Sequence, residues 1–456
     1  MMTMGLIRQF IYPNEVQETA SAHIPIKNIV TDTRCLKPGD FFIALKGLHF
    51  DGHNFVEKAL QLGAVGAMVN QYYLPQKAHL LRVADTYLSL GVIAEKWRNL
   101  HDIPVIGITG SSGKTTTKEM LVSILRFYQG EQAVLATQGN FNNHIGLPLT
   151  LLQLNDTHRY AIVEMGMNHP KEIAYLTRLA KPTVAALLNV LRAHMGGGFS
   201  SLADIAQAKS EIFEGLAKEG IAIINAEDPH EAFFKEKAKG YPVITFGLAV
   251  GDIRSKNQVL DVQQSIFDAV TPAGGVSITI KAPGIQNIKN ALAAVAISHA
   301  LHIPLSAIAS GLLAFLAVKG RLNSIHLASG ALLIDDTYNA NPDAMKAAID
   351  FLALGKPPYI LIMGDMAELG EQANKLHEEV GRYARFKGVS QLLALGNLSS
   401  YAASAFGQNA QFFEVMQDLL DQINVLQPIQ GTILVKGSRL MKMEQVIQHL
   451  TGHTAT

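Results

Sequence analysis

Short apolar runs rich in β-branched residues alternate along the chain with longer amphipathic stretches. Residues 105–109 read as a strand and 116–128 as the helix after it, and 161–165 followed by 171–180 repeats the unit. This alternation predicts βα units around a mostly parallel sheet. Further strands are expected at 183–189, 221–225 and 243–246, and a helix over 202–216. The stretch 260–281 reads as antiparallel strands about a turn at 272–275. After about residue 318 the rhythm restarts, with strands at 332–335, 359–363, 391–395 and 432–436; this predicts a separate Rossmann-type domain. Before about residue 84 the elements are shorter, with turn chemistry at Lys37-Pro38-Gly39-Asp40 and Asp51-Gly52-His53-Asn54. The expected fold class is therefore α/β in three domains: a small α/β amino-terminal unit (1–83), a central, mostly parallel phosphate-loop domain with an antiparallel extension (84–318), and a Rossmann-like carboxy-terminal domain (319–456). A chain of 456 residues exceeds what one ordinary core supports, in keeping with that division.

Composition narrows the function classes. With 38 basic and 38 acidic residues the net charge is zero, leaving no electrostatic footprint for a nucleic acid or an anionic membrane. Any bound anion must be held locally. The single cysteine, Cys35, cannot form an internal disulfide, and residues 1–10 lack a basic segment followed by an apolar core of signal-peptide length. No run approaches the roughly 20 apolar residues of a spanning helix. Even 291–301 is interrupted by Ser298 and His299. A soluble, cytoplasmic protein is expected.

The sharpest chemical signal is Thr109-Gly110-Ser111-Ser112-Gly113-Lys114-Thr115-Thr116, set between the strand at 105–109 and a helix. Glycine lets backbone amides turn toward an anion, the helix start adds unpaired N–H groups and partial positive charge, and Lys114 neutralises outer phosphates. The Thr115 hydroxyl stands where it can ligate the magnesium that accompanies ATP. The loop departs from Gly-x-x-x-x-Gly-Lys-Thr, because Ile108 occupies the first glycine position and the glycines fall at 107 and 110. A Gly/Ser turn carrying a surface lysine is the bland alternative, and the flanking strand and helix disfavour it.

Three residues downstream are candidate metal ligands or catalytic groups. Glu164 ends an apolar strand, and ligands of open parallel sheets bind at the carboxyl ends of strands. His194 follows the strand at 183–189 and precedes Met195-Gly196-Gly197-Gly198-Phe199, a close-approach loop in the same crevice. Lys209, on the helix at 202–216, brings positive charge toward them. Taken singly, Glu164 reads equally well as a solvated strand-end carboxylate, and for His194 and Lys209 a solvated surface residue is the favoured reading.

Several segments together resemble the Mur ligases of peptidoglycan synthesis: Thr31-Asp32-Thr33-Arg34, the phosphate loop, Asn140-Phe141-Asn142-Asn143, Val163-Glu164-Met165-Gly166, Asp335-Asp336-Thr337-Tyr338-Asn339-Ala340-Asn341-Pro342 and Lys436-Gly437-Ser438-Arg439. The resemblance spans nearly the whole chain. Within the family, Asp336 to Pro342, the Met363-Gly364-Asp365-Met366-Ala367-Glu368-Leu369-Gly370 segment and the Asn-Phe-Asn-Asn run match the member that adds D-alanyl-D-alanine to UDP-MurNAc-tripeptide through an acyl phosphate, as part of cell wall synthesis.

The resemblance implies site roles position by position. Gly110 to Thr116 would serve ATP, and Thr115, Glu164 and His194 would ligate magnesium, with two ions expected. Lys209 aligns with a lysine that such ligases commonly carry as a carbamate, which turns a cation into an anionic ligand. Lys114, Lys209 and His194 are the expected catalytic groups. Asn287 and Asn290 match the adenine-contacting segment, although Gln286 stands where a histidine is usual. Arg321 and Asp336 match residues that reach the nucleotide, and Asn341 a position near the incoming dipeptide. Asp32, Thr33, Arg34, Lys46 and Gly47 resemble the part that holds the UDP-sugar, where an ordinary salt-bridged turn is the alternative reading. Asn140, Asn142 and Asn143 are expected at the substrate, or else in a hydrogen-bonded turn. No nucleic acid, membrane or obligatory partner chain is implied, and a monomer suffices for a site complete within one chain. A nucleotide-operated regulator that hydrolyses ATP without making a bond is the alternative of another class. It would need neither a carboxylate-rich metal cluster beside the loop nor a UDP-sugar domain.

Overall fold

A computed structural model describes residues 1–14, 22–75, 79–193, 195–196 and 198–452. The described chain forms three sheets, of four, nine and six strands. The first, from Ile29–Val30 to Leu80–Val83, is parallel throughout. The central sheet has the phosphate-loop strand Val105–Thr109 between strands Tyr160–Glu164 and Val184–Leu187. Parallel pairing runs from Val134–Ala136 at one edge to Ile253–Leu260, after which an antiparallel meander completes the sheet.

These central strands are near-continuous apolar runs because both faces are covered. Val105, Ala161, Val163, Ala185 and Leu187 enter one buried cluster, while their neighbours Ile106, Ile108, Ile162, Val184 and Ala186 enter the other. Alternate side chains point to opposite faces, so each strand is anchored twice, at roughly 1.5–3 kcal/mol per large aliphatic side chain. The second cluster packs the phosphate-loop helix Lys114–Gln129 beside Ile285–Ala300, an alanine-rich helix buried along most of its length. The 291–301 run is thus an interior helix, and no helix among the described residues is long and apolar enough to cross a membrane.

The expected elements differ from the structure at a few places. The meander has a third strand, Ile253–Leu260, upstream of the expected antiparallel pair; its second half is largely exposed and carries no apolar alternation. The helix expected over 202–216 is an α-helix only over Leu202–Ser210 and tightens to a 3-10 turn at Glu211–Gly215. In the third sheet the parallel strands Leu332–Asp336, Tyr359–Gly364, Gln391–Leu395 and Thr432–Lys436 are joined by two edge strands, Asn323–His326 and Ala410–Phe413. Both edges are half-exposed and weakly apolar, which hides them from a hydrophobicity reading.

Candidate active site

The phosphate loop leaves the strand Val105–Thr109 at the carboxyl edge of the sheet and enters the helix Lys114–Gln129 through Gly113, which has φ +84. A side chain there would strike the Asn290 amide oxygen as well as strain the backbone. The first amides of the helix have no intrahelical acceptor and face the cleft, whereas the loop amides of Ser111 and Ser112 are held by Asn189, at 3.1 Å to its carbonyl and 3.0 Å to its side-chain oxygen. Asn189 therefore fixes the loop's shape from the neighbouring strand end.

Lys114 folds back to donate to the Gly110 carbonyl at 2.6 Å. Burial pushes its ammonium below the ordinary lysine range; Glu164 opposes that shift and the Arg321 guanidinium adds to it. Glu164, at the end of strand Tyr160–Glu164, is 1% exposed. Its Oε2 accepts from the Thr115 hydroxyl at 3.3 Å, and its Oε1 has no hydrogen-bond donor.

The carboxy-terminal sheet supplies the opposite wall. Arg321 donates to the Thr115 hydroxyl at 2.9 Å and its guanidinium lies 4.0 Å from the Tyr338 ring centroid. The two aspartates of strand Leu332–Asp336 aim that arginine: Asp335 accepts from the Gly320 amide at 3.1 Å and Asp336 from the Leu322 amide at 3.1 Å. Asp336 is itself paired with the buried ammonium of Lys436 at 2.6 Å. Asn341 caps the helix Pro342–Leu352, accepting from the Ala344 amide at 2.8 Å. A cavity of about 680 Å³ unites these groups, lined by 111–116, Glu164, Asn287, Asn290, Arg321, Asp336 and Asn341. Asn140, Asn142 and Asn143 rim it too, although Asn143 spends its side-chain oxygen on the Ile145 and Gly146 amides, as the hydrogen-bonded-turn reading anticipates.

Lys209 and the amino-terminal candidates do not line the cavity. Lys209 sits behind the wall, 1% exposed, and burial, with repulsion from Lys114, pushes its amine far below the usual range. No carboxylate forms an ion pair with it among the described residues. His194 lies outside the described residues. Asp32, Thr33, Arg34, Lys46 and Gly47 are on the first sheet's loops and do not line the cavity. Arg34 is held by Asp32 at 2.6 Å and Lys46 lies 3.9 Å from Asp51, which is the salt-bridged-turn arrangement.

The carboxylate-rich metal cluster expected beside the loop includes His194, which is not among the described residues. Among the described residues no three His, Cys, Asp or Glu side chains come together as a ligand set. Glu164 is surrounded instead by cations, Lys114 and Lys118 among them. The physical reason is the ligand: a site for a polyphosphate receives most of its negative charge with the substrate. The donor set still suits magnesium, which is bound by one or two carboxylates plus phosphate oxygens, because the buried Glu164 carboxylate presents Oε2 beside the Thr115 hydroxyl at the cavity and accepts no other hydrogen bond.

Sequence reading passed over several residues that shape this site. Asn189 and Tyr338 sit in segments already singled out but carry no motif signal. Arg192 donates through its backbone amide and guanidinium to Asp343 and pairs with Glu379 at 3.0 Å, tying the central domain to the helices Pro342–Leu352 and Ala373–Phe386. Lys346 joins the same Glu379. Only the fold brings these four together.

A phosphate loop facing an arginine from a second α/β domain, with the start of a capped helix on the same cavity wall, fits a nucleotide-dependent enzyme working across a cleft. Residues 25–84 match the description "Mur ligase family, catalytic domain", 108–298 "Mur ligase middle domain" and 320–439 "Mur ligase, glutamate ligase domain". The chain belongs to the Mur ligase family and is an ATP-dependent ligase. It is 40% identical over 434 residues, 94% of either chain, to the Haemophilus influenzae protein named UDP-N-acetylmuramoyl-tripeptide--D-alanyl-D-alanine ligase, and 40% identical over 437 residues, 95% of either, to the Escherichia coli protein of that name. A crystal structure of MurF from Acinetobacter baumannii superposes with TM-score 0.89 at 37% identity, covering 99% of this chain and 98% of that one. MurF ligase from Thermotoga maritima in complex with ADP superposes with TM-score 0.84 at 26% identity, covering 94% and 98%.

Proposed function

We propose that this protein joins D-alanyl-D-alanine to UDP-MurNAc-tripeptide at the expense of ATP, giving UDP-MurNAc-pentapeptide, ADP and phosphate, in the cytoplasm and as a monomer, with its domains divided near residues 84 and 319. One observation carries the reading: Lys114 and Thr115 of the phosphate loop face Arg321, Asp336 and the Asn341-capped helix across a single cavity. A hydrolytic regulator has no use for that second wall.

A carboxylate is a poor electrophile, so amide formation runs through an acyl phosphate. The tripeptide's terminal carboxylate oxygen attacks the γ-phosphorus; the bond from that phosphorus to the β,γ-bridging oxygen breaks and ADP departs. Lys114, the amides at the helix start and Arg321 meet the charge spread over the phosphoryl oxygens, so catalysis is mainly positioning and electrostatics. The free amine of D-alanyl-D-alanine then attacks the acyl carbon, losing a proton as phosphate leaves. Asn341 and the start of helix Pro342–Leu352 orient the dipeptide, Asn287 and Asn290 the adenine, and the 140–143 loop the tripeptide. Asp32, Thr33, Arg34, Lys46 and Gly47 hold the UDP-sugar end.

Thr115, Glu164, His194 and Lys209 would hold magnesium, two ions in all, which supplies positive charge at the phosphates when bound. Lys209 suits carbamylation because burial favours its uncharged amine, the form that attacks carbon dioxide, and the product carbamate would bring an anion to a region that Lys114 makes cationic.

The test is to incubate the protein with ATP, magnesium and UDP-MurNAc-tripeptide, adding D-alanyl-D-alanine, single amino acids or nothing. Product and phosphate should appear together only with the dipeptide. Phosphate release indifferent to the dipeptide overturns the reading. A sibling ligase adding one amino acid is the alternative, and the 335–342 segment at the dipeptide wall argues against it.

A further inference from the structure

Lys118 lies one helical turn beyond Lys114, on the same face of the phosphate-loop helix, yet it does not line the cavity and is only 2% exposed. Three acceptors surround its ammonium: the Thr137 carbonyl at 2.5 Å, Glu119 Oε1 at 2.6 Å and Glu164 Oε1 at 3.6 Å. The last is an ion pair too long for a hydrogen bond, and Lys118 is the only cation paired with that oxygen among the described residues. Thr137 closes a triangle, since its hydroxyl accepts from the Glu164 amide at 3.0 Å.

A glutamate's terminal torsion is broad and roughly two-fold, so the direction of its carboxylate must come from its neighbours. We propose that Lys118 is a positioning residue for the ligase reaction: by attracting Oε1 it turns Oε2 of Glu164 to the Thr115 side, where the divalent cation of the nucleotide is met. Glu119, partly exposed and in contact with the same ammonium, offsets part of the repulsion the ammonium would exert on an incoming cation. This resembles the general arrangement in which an outer partner fixes a metal-binding carboxylate. It deepens the reading of Glu164 as a magnesium ligand and rests on it.

The experiment measures ADP affinity of the full chain by calorimetry, with EDTA and with magnesium, and takes the ratio as the magnesium-dependent gain. In Lys118→Met the affinity with EDTA stays within about twofold of the parent while the gain shrinks about 10–100-fold, and the magnesium concentration needed for half-maximal turnover rises in step. Lys118→Arg, which restores a cation, keeps most of the gain. Lys118→Gln retains a donor for Thr137 without the charge and gives the same reading should the methionine variant not fold. A parental gain in the Met and Gln variants overturns the proposal. So does an equal loss with EDTA and with magnesium, which marks damage to the loop as a whole. Glu164→Gln separates the two levels. If it keeps the full gain, the ligand reading itself fails; if it loses the gain and Lys118→Met does not, only the role of Lys118 fails.

Discussion

The amino-terminal turn and the cleft between the other two sheets both carry paired cations, but they hold them by opposite means. Arg34 is 86% exposed and bound by Asp32 two residues away. That pair requires no residue distant in sequence. In the cleft, Arg192 reaches Asp343 and Glu379 across 151 and 187 residues of sequence, and Arg321 reaches Thr115 across 206. Those contacts exist only while the carboxy-terminal sheet is docked, and the Gly196 amide donating to the Glu368 carbonyl at 3.0 Å adds a backbone bond to the same junction. Local pairs form within their own turn; distant pairs make a site whose completeness depends on domain arrangement.

The largest expected effect lies on the cleft side. Lys114→Ala should abolish pentapeptide formation, with turnover falling by at least about 10²–10³-fold while the protein remains folded. Retained product formation, followed by chromatography, would break the claim that the loop acts on a phosphoryl group in coupled chemistry. Next, Lys209→Ala should lower turnover about 10–100-fold, the scale of a lost metal-tuning group, and the parent should lose activity reversibly when bicarbonate is depleted. An alanine variant with undiminished activity at low bicarbonate removes Lys209 from the mechanism.

Arg192→Met tests the distant pairs directly. It leaves Asp343 and Glu379 half-buried without their arginine, so turnover should fall about tenfold, a cost between that of an exposed and a buried ion pair. ADP affinity should be unchanged, and small-angle scattering should show a larger radius of gyration than the parent with all ligands bound. Equal radii would show that these charges do not hold the domains together. Arg34→Ala, by contrast, should raise KM for the UDP-sugar substrate with kcat and Tm unaltered; a fall in kcat with KM unchanged would contradict the comparison from the other side.

The smallest effect is in pH. Burial alone would raise the Glu379 carboxyl, but hydrogen bonds from Arg192 and Lys346 outweigh it and hold it below the ordinary glutamate range. A depressed carboxyl contributes stability that is fully present above its unfolded value and is lost as pH falls through the folded one. The radius of gyration of the docked protein should therefore stay constant from neutral pH down through the ordinary carboxylate range and increase only below it. An increase already near pH 6 would point to another group.

Much of the fold was legible because its cause is local. Strands such as Val105–Thr109 and Tyr359–Gly364 are continuous apolar runs, since both faces of a parallel strand are buried, and the half-exposed edges Asn323–His326 and Ala410–Phe413 escaped for the complementary reason. The phosphate loop was equally legible: glycine, lysine and threonine at fixed spacing encode their chemistry within eight residues. Asn287, Arg321 and Asp336 were reached through resemblance alone, since nothing in their neighbourhoods of sequence says that they face Lys114.

By itself the sequence determined which segments become strands and helices and which residue types can grip a phosphate, because periodicity and loop spacing act over a few residues. Tertiary structure alone decided which charges meet. Lys118 beneath Glu164, Asn189 shaping the phosphate loop and Arg192 bridging to Asp343 depend on strand order and on how two sheets dock. Electrostatic pairing is a matter of distance in space, and the chain carries no local mark of it.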